Sequence, residues 1–273
     1  MSFSIAMMPA HVEAGGHNKS DENKIVCDRV RDKRVALGLD ALIREYSMLL
    51  LEASEKGCLA EATELLNRGA LVNVKDRLAN TPVIRAAGAG QLEILKYLTT
   101  KGGLLNQPNL RGSTALIKSV KNNRRKTTIW LLDHNVEVNV LTLDNEMPLS
   151  QAAFDGNLRT VKRLLKAGAD PLKKDKTNKS ALIYAAAKGF HKIVSELLKA
   201  GANPNEVFIN KTTPIMWAAG HTADTPNEDA LKTVEILLQA GAIMTSLDNR
   251  GYTALDYAKQ TKNRLLIQRL SEQ

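Results

Sequence analysis

The chain repeats itself with a period of 33 residues, and this period constrains the fold more than any single residue does. Each unit starts with a Thr, Ser or Met that is followed by Pro or Ala. These starts lie 33 residues apart, at Thr81, Thr114, Met147, Ser180 and Thr213. A fixed period of this length indicates a solenoid, in which each unit packs against its neighbours only. The length of the chain therefore does not indicate a number of globular domains.

Every unit contains the signals of two short helices. The Thr or Ser predicts a helix N-cap, and a Pro at the first helical position loses no hydrogen bond. A pair of small residues such as Ala86-Ala87 predicts close packing of neighbouring first helices. Apolar residues three and four apart, as at Leu158, Val161 and Leu165, predict the second helix. The first helix is predicted to end in a left-handed residue, at Gly57, Gly90, Asn123, Gly156 and Gly189.

The composition is that of a folded chain, with 44% hydrophobic and 4% aromatic residues. Lys and Arg number 38 against 29 Asp and Glu, and the formal net charge of +9 favours an acidic partner. No apolar run is long enough for a transmembrane helix, so we predict no membrane span. The five histidines are scattered, and no nucleophile elbow or phosphate-binding loop occurs. We therefore predict no catalytic site, metal, cofactor or small-molecule substrate.

The chain divides into three predicted segments. We predict a flexible leader over residues 1–24, with the remnant of an export signal as the alternative, and a capping helix over residues 25–44. The repeat array is predicted over residues 45–272, with an insertion near 221–229, since Thr213 and the next start at Thr253 are 40 residues apart. Cys27 and Cys58 lack the spacing of a metal site. We expect two free thiols, with one disulfide as the alternative.

The repeated unit resembles the ankyrin repeat, whose signature is Thr-Pro-Leu-His-x-Ala. The resemblance covers about residues 45–272 in about seven units, and the segment from Thr213 to His221 is similar to bacterial members. It implies an all-α solenoid of helix-turn-helix units that are joined by β-turn or hairpin loops. The signature His is absent, and we expect apolar packing to replace its hydrogen bonds. Its positions are occupied by Leu51, Ile84, Ile117, Ser150, Ile183, Met216 and Asp256.

The resemblance also implies that the turn tips and the exposed end of each first helix line a concave face. Aromatic residues accumulate on this face in the C-terminal half, and Phe154 stands where the family is normally polar. Two explanations stay open, an apolar anchor for a partner or packing between repeats. The candidate partner-binding residues are these aromatics and the basic residues of the same face and of the turn tips: Phe154, Tyr184, Trp217, Tyr257, Arg85, Lys118, Lys121, Arg77 and Arg111.

Three functions are compatible with this surface. The resemblance favours a non-enzymatic, monomeric scaffold that binds another protein, and the net charge favours an acidic one. The alternative is an exported, periplasmic or host-directed bacterial factor, and the sequence leaves the choice between cytoplasm and export open. Nucleic-acid binding through the basic clusters at 118–126 and 173–179 is the weakest hypothesis, because no aromatic residues are interleaved among these lysines.

Overall fold

The computed structural model describes residues 19–38, 42–220 and 226–272. In these ranges the chain is all-helical and contains no β-strand, which confirms the predicted fold class. A short 3-10 turn covers Ile209–Lys211. The α-helices are α1 Lys19–Leu37, α2 Ile43–Lys56, α3 Leu59–Asn67, α4 Pro82–Ala89, α5 Leu92–Thr100, α6 Ala115–Lys121, α7 Arg125–Leu132, α8 Pro148–Phe154, α9 Leu158–Lys166, α10 Ala181–Ala187, α11 His191–Lys199, α12 Pro214–Gly220, α13 Asn227–Gln239, α14 Ala254–Gln260 and α15 Arg264–Ser271.

The helices after α1 form seven consecutive hairpins in the described ranges. The first helices of the hairpins, α2 and then every second helix to α14, pack side by side as an inner layer. The second helices, α3 and then every second helix to α15, form an outer layer. The core runs along the whole stack between the two layers. Its fully buried side chains include Leu50, Leu65, Leu95, Leu116, Leu131, Leu164, Leu182 and Leu197.

The inner helices begin and end where the repeat predicts. The N–H of Ile84 donates to Oγ1 of Thr81 at 3.3 Å, and Thr114 and Thr253 cap their helices in the same way. Ser180 caps α10 by accepting from the N–H two residues ahead. The left-handed ends are also confirmed, and Gly57 has a φ of 85°. This left-handed conformation strains any residue that has a Cβ, so the position favours glycine.

Apolar packing replaces the missing signature histidine, as expected. Ile84, Ile183 and Met216 are each no more than 2% exposed between neighbouring inner helices. In the last unit, Asp256 accepts hydrogen bonds from the N–H and the hydroxyl of Thr253 at 2.9 and 2.7 Å. This reciprocal capping box fixes the start of α14 without a histidine.

Asparagine side chains join the turn after one outer helix to the same turn of the next unit. Asn73 donates to the carbonyl of Gly102 at 2.9 Å and accepts from the N–H of Leu104 at 3.0 Å. Asn139 and Asn205 make the same two bonds two and four junctions further along. These bonds satisfy backbone groups at the ends of the outer helices, which would otherwise have no intrahelical partner.

Helix α1 covers the first hairpin and is tied to it covalently. It begins at Lys19 rather than near residue 25, and it contacts both α2 and α3. Cys27 and Cys58 form a disulfide with a Cα–Cα distance of 5.3 Å, so the expectation of two free thiols is wrong. The physical reason is the path of α1, which places Cys27 beside Cys58, the N-cap residue of α3. Arg34 Nε also binds Glu61 at 2.7 Å across the same contact.

Two predicted features fall partly outside the described residues. The leader, with its alternative as an export signal, lies outside them up to residue 18, and its last residues belong to α1. The insertion lies outside them at residues 221–225. Its remainder extends the outer helix, since α13 has 13 residues where α9 and α11 have 9 each.

Candidate partner-binding groove

The polar turn before each inner helix folds as a short hairpin, which we call a finger. In the second unit the N–H of Asp76 donates to the carbonyl of Asn80 at 3.1 Å, and Oδ1 of Asp76 accepts from the N–H groups of Leu78 and Asn80 at 2.8 Å. Asp and Asn favour such turns because their side chains bond to nearby backbone. The backbone pairing recurs in the fingers that begin at Asn109, Thr142, Asp175, Phe208 and Asp248.

Three fingers are braced to the inner helix that follows them. In each of them, Oδ2 of the Asp that begins the finger accepts a hydrogen bond from a candidate partner-binding residue nine positions later. Sequence reasoning missed these braces, although the recurring spacing of nine residues could have revealed them. The bracing contacts are Arg85 to Asp76 at 2.5 Å, Tyr184 to Asp175 at 2.6 Å and Tyr257 to Asp248 at 2.9 Å.

The braces shift the pKa values of the groups that they join. Burial opposes ionisation of Asp76 and Asp175, but the hydrogen bonds that they accept outweigh it and lower the pKa of both carboxyl groups. The same balance lowers the pKa of Asp248 to about 2. Burial, followed by the hydrogen bond to Asp175, raises the pKa of Tyr184 to about 12. The carboxylate and the phenol of the Asp175–Tyr184 brace therefore both persist at neutral pH.

The basic candidates of the N-terminal half lie along a groove of about 570 Å³ between the first fingers and inner helices. Arg85 and Lys118 line this groove, and Arg77 is exposed at a finger tip. Most of the positive charge is neutralised by carboxylates of the protein itself. The ion pairs are Arg85 with Glu55, Arg111 with Asp144 and Lys121 with Glu146.

The aromatic candidates of the C-terminal half follow one another along successive inner helices, and we call Phe154, Tyr184, Trp217 and Tyr257 the aromatic strip. Phe154 ends α8 and is 46% exposed. Its ring meets that of Tyr184 edge to face, with the centroids 5.9 Å apart. The indole N–H of Trp217 donates to Oγ1 of Thr212 at 3.0 Å. The structure thus brings Phe154 against Tyr184 and holds Trp217 against its own finger.

Cationic side chains lie over the rings of the aromatic strip. Lys188 Nζ is 5.3 Å from the ring centroid of Phe154. Lys179 Nζ lies between two rings, 5.7 Å from that of Tyr184 and 5.3 Å from that of Trp217. All three distances are within the range of a cation–π interaction. Sequence reasoning did not place these lysines beside the aromatics, because the contact with Trp217 crosses between units.

The finger of the sixth unit departs from the others and forms one wall of a pocket. Its first residue, Phe208, is buried and cannot accept the backbone hydrogen bonds that an Asp accepts. Asn210 and Lys211 both adopt left-handed conformations, with φ values of 60° and 57°. The pocket has a volume of about 320 Å³, and its lining includes Lys179, Ile209, Thr212, Met216, Trp217 and Tyr257.

Across residues 19–38, 42–220 and 226–272, no helix combines the length and apolar character needed to cross a bilayer. The His, Cys, Asp and Glu side chains of these ranges form no cluster of three that could hold a metal ion. His191 begins α11, and its Nδ1 lies 3.4 Å from Asp229.

Curated relatives match parts of this array. Human palmitoyltransferase ZDHHC17 is 34% identical over 226 residues, which cover 72% of this chain and 36% of that protein. Ankyrin repeat protein FPV031 of fowlpox virus is 28% identical over 141 residues, or 49% of this chain and 41% of that protein. The chain spans about a third to two fifths of the length of the curated relatives it matches. Their viral and animal sources lend no support to the expected bacterial origin.

A solved structure matches the fold of this chain, and a family model matches its repeats. The crystal structure of the human ASB11 ankyrin repeat domain superposes with a TM-score of 0.69 at 22% identity, covering 81% of this chain and 96% of that one. The family model for ankyrin repeats in three copies matches residues 50–142 and 149–225, which is more than half of the chain. With its stacked hairpins and fingers, the chain therefore belongs to the ankyrin-repeat family.

Proposed function

We propose that this chain is a non-enzymatic interaction module that binds a partner protein on its concave face, with the aromatic strip as the anchor. The observation that supports this most strongly is Phe154, a large apolar ring that is nearly half exposed beside Tyr184 and Lys188. Aromatic residues that are exposed on a preorganised surface are typical centres of binding energy. We expect the free protein to be a monomer.

The alternative explanation, packing between repeats, fits the individual aromatics unequally. Tyr184 and Tyr257 are half-buried, and their hydroxyl groups brace the fingers. Phe154 has no polar group and remains 46% exposed, so packing within the array does not account for its size. The anchor is therefore assigned chiefly to Phe154 and to the pocket at Trp217.

An acidic partner is part of the proposal. The net charge is +9, and Lys179 and Lys188 add positive charge beside the strip. Complementary charge mainly increases the association rate and the specificity of a complex. The activity of the palmitoyltransferase relatives is not part of the proposal, because this chain matches 36% of the human protein.

The proposal is tested by affinity capture with the Phe154→Ala variant. Biotinylated chain is incubated with an extract of the source cells, and bound proteins are quantified by mass spectrometry. We expect the recovery of at least one specific partner to fall by roughly tenfold or more, the loss typical of a binding hot spot. Leu172→Ala is the matched control, because Leu172 is 53% exposed in a turn that follows an outer helix. Equal recovery by both variants would contradict the anchor.

The disulfide favours a second candidate, an exported interaction protein. Disulfides form and persist in oxidising compartments and are rare in the cytosol. Cys27 and Cys58 are joined across the contact of α1 with α3. Rapid alkylation of source cells, followed by fractionation and non-reducing electrophoresis, tests this candidate. A reduced, alkylated chain in the cytosolic fraction would argue against export.

A further inference from the structure

The pocket between the finger of the sixth unit and the inner helices specifies the partner further. We propose that it receives one large apolar side chain from an extended acidic segment of the partner, whose neighbouring carboxylates face Lys179 and Lys188. This inference rests on the proposed function, since it names the chemistry that the same groove recognises.

The aromatic walls of the pocket are held in place by the protein itself. Thr212 accepts a hydrogen bond from the indole of Trp217 at 3.0 Å. The hydroxyl of Tyr257 donates to Asp248 at 2.9 Å and accepts from Arg250 at 2.8 Å. A wall that is already ordered loses little side-chain entropy when a ligand binds, and this favours affinity.

The apolar part of the pocket suits a single side chain. Met216 is 1% exposed at its base, whereas Ile209 at the finger tip is 60% exposed. A volume of about 320 Å³ is at the lower end of ordinary ligand pockets, so a large apolar side chain fits and a whole helix does not. An occupant would remove apolar surface of Ile209 from water, which stabilises the complex.

The charge beside the pocket selects an acidic segment. Within the described part of the chain, neither Lys179 nor Lys188 has a carboxylate at ion-pairing distance, and each lies over aromatic rings instead. In the N-terminal half, by contrast, Arg111 and Lys121 are paired with acidic residues of the protein. Carboxylates of a partner therefore find counter-charges at the strip that the protein itself does not neutralise.

A single-stranded nucleic acid fits this surface less well than an acidic peptide. Bases would have to stack on rings that already have a cation over one face. Asp175 and Asp248 lie directly behind Tyr184 and Tyr257, and a continuous phosphate backbone would pass close to both carboxylates. A peptide can place its few carboxylates beside the lysines and avoid these positions.

Random peptide display against the full chain tests the inference. Phage clones are selected on the wild-type protein after depletion on the Lys179→Glu variant. We expect the enriched sequences to contain a large apolar residue with Asp or Glu nearby. Enrichment of basic or uncharged sequences, or no enrichment above the depleted background, would overturn the proposal.

Synthetic peptides from the selection then locate the site. We expect Lys179→Glu to weaken the affinity about tenfold or more in fluorescence anisotropy, and Lys192→Glu, the same charge change on the exposed side of α11, to have a much smaller effect. Gly220→Ala is an independent variant, because a Cβ there would lie 2.6 Å from the Tyr257 ring and displace a pocket wall without changing a lining residue. Unchanged affinity in both Lys179→Glu and Gly220→Ala would place the peptide elsewhere and overturn the proposal.

A failure of the pocket proposal can be distinguished from a failure of the proposed function. If a natural partner requires Phe154 but tolerates Lys179→Glu and Gly220→Ala, the interaction module stands and the pocket proposal fails. A labelled oligothymidine is the remaining probe. Oligothymidine binding that is lost in Lys179→Glu, without any acidic peptide being selected, would assign the strip to nucleic acid instead.

Discussion

At the scale of the residue, the finger braces explain why the candidates Arg85, Tyr184 and Tyr257 stand where they do. Each donates a hydrogen bond to the Asp that begins its own finger, so these three candidate partner-binding residues have a structural role. The sequence alone could show that these residue positions recur in each unit. It could not separate a bracing role from a binding role, because both roles suit an Arg or Tyr at the edge of a groove. Phe154, which has no such hydrogen bond to make, remains the clearest binding candidate.

The Asp175–Tyr184 brace is expected to fail at both extremes of pH. Folding raises the pKa of Tyr184 from 10.0 to about 12, so the stabilisation is complete below pH 10 and is lost as the pH rises through about 12. Folding lowers the pKa of Asp175 from 3.8, so the same stabilisation is present above pH 3.8 and is lost as the pH falls through the folded value.

Ultraviolet difference titration measures this behaviour. Wild-type protein should show a phenol ionising near pH 12 that is absent from Tyr184→Phe. The variant should also lose about 1 to 3 kcal/mol of unfolding free energy at neutral pH, as expected for a hydrogen bond to a charged group. A Tyr184 that ionises near pH 10 would contradict the brace.

At the scale of the element, the repeat period predicted the inner helices well because their caps are local. The threonine that starts α4 bonds three residues ahead, and such spacings are visible in sequence. The asparagine hydrogen bonds between the turns of successive units, which we call the asparagine ladder, were not recognised. Asn73 bonds to residues 29 and 31 positions further along, and such distant partners are not visible in the sequence. The disulfide was missed for a related reason, because the path of α1 across the first hairpin lies outside the repeating pattern.

The asparagine ladder has a gap that can be repaired. Leu172 occupies the register position of Asn139 and Asn205, is 53% exposed and cannot bond to the next turn. We expect Leu172→Asn to raise the free energy of unfolding by about 1 to 2 kcal/mol through two new hydrogen bonds. Urea unfolding measures the change, and Asn139→Leu is the reciprocal variant, which should lower the stability. A loss of stability in Leu172→Asn would show that the junction has relaxed around the leucine.

At the scale of the whole molecule, the two halves of the array differ in how their ends are closed and in how their charged side chains are paired. The N-terminal units are closed by a helix and a disulfide, and Arg85, Arg111 and Lys121 are paired with carboxylates of the protein. The C-terminal units expose aromatic rings and unpaired lysines. The sequence predicted the aromatic half and the family, but the ion pairs join residues 25 to 33 positions apart and emerge only when the units are stacked.

Reduction of the disulfide is expected to loosen one end of the array. The bridge closes a loop with a sequence separation of 31 residues, and the chain-entropy model gives about 3 to 4 kcal/mol for such a loop. Since each unit couples to its neighbours only, α1 to α3 should lose protection first. Hydrogen exchange of oxidised and reduced protein measures this, with α12 to α15 as the internal reference. An equal loss of protection in α12 to α15 would contradict nearest-neighbour coupling.

The pocket beside Trp217 takes its walls from three successive units, because Lys179, Trp217 and Tyr257 belong to the fifth, sixth and seventh. Duplication, deletion or exchange of a single repeat would leave a foldable array, because each unit contacts only its neighbours, and yet it would separate these three side chains. Ligand recognition by this pocket is therefore retained only when the fifth, sixth and seventh repeats are inherited together and in the same order.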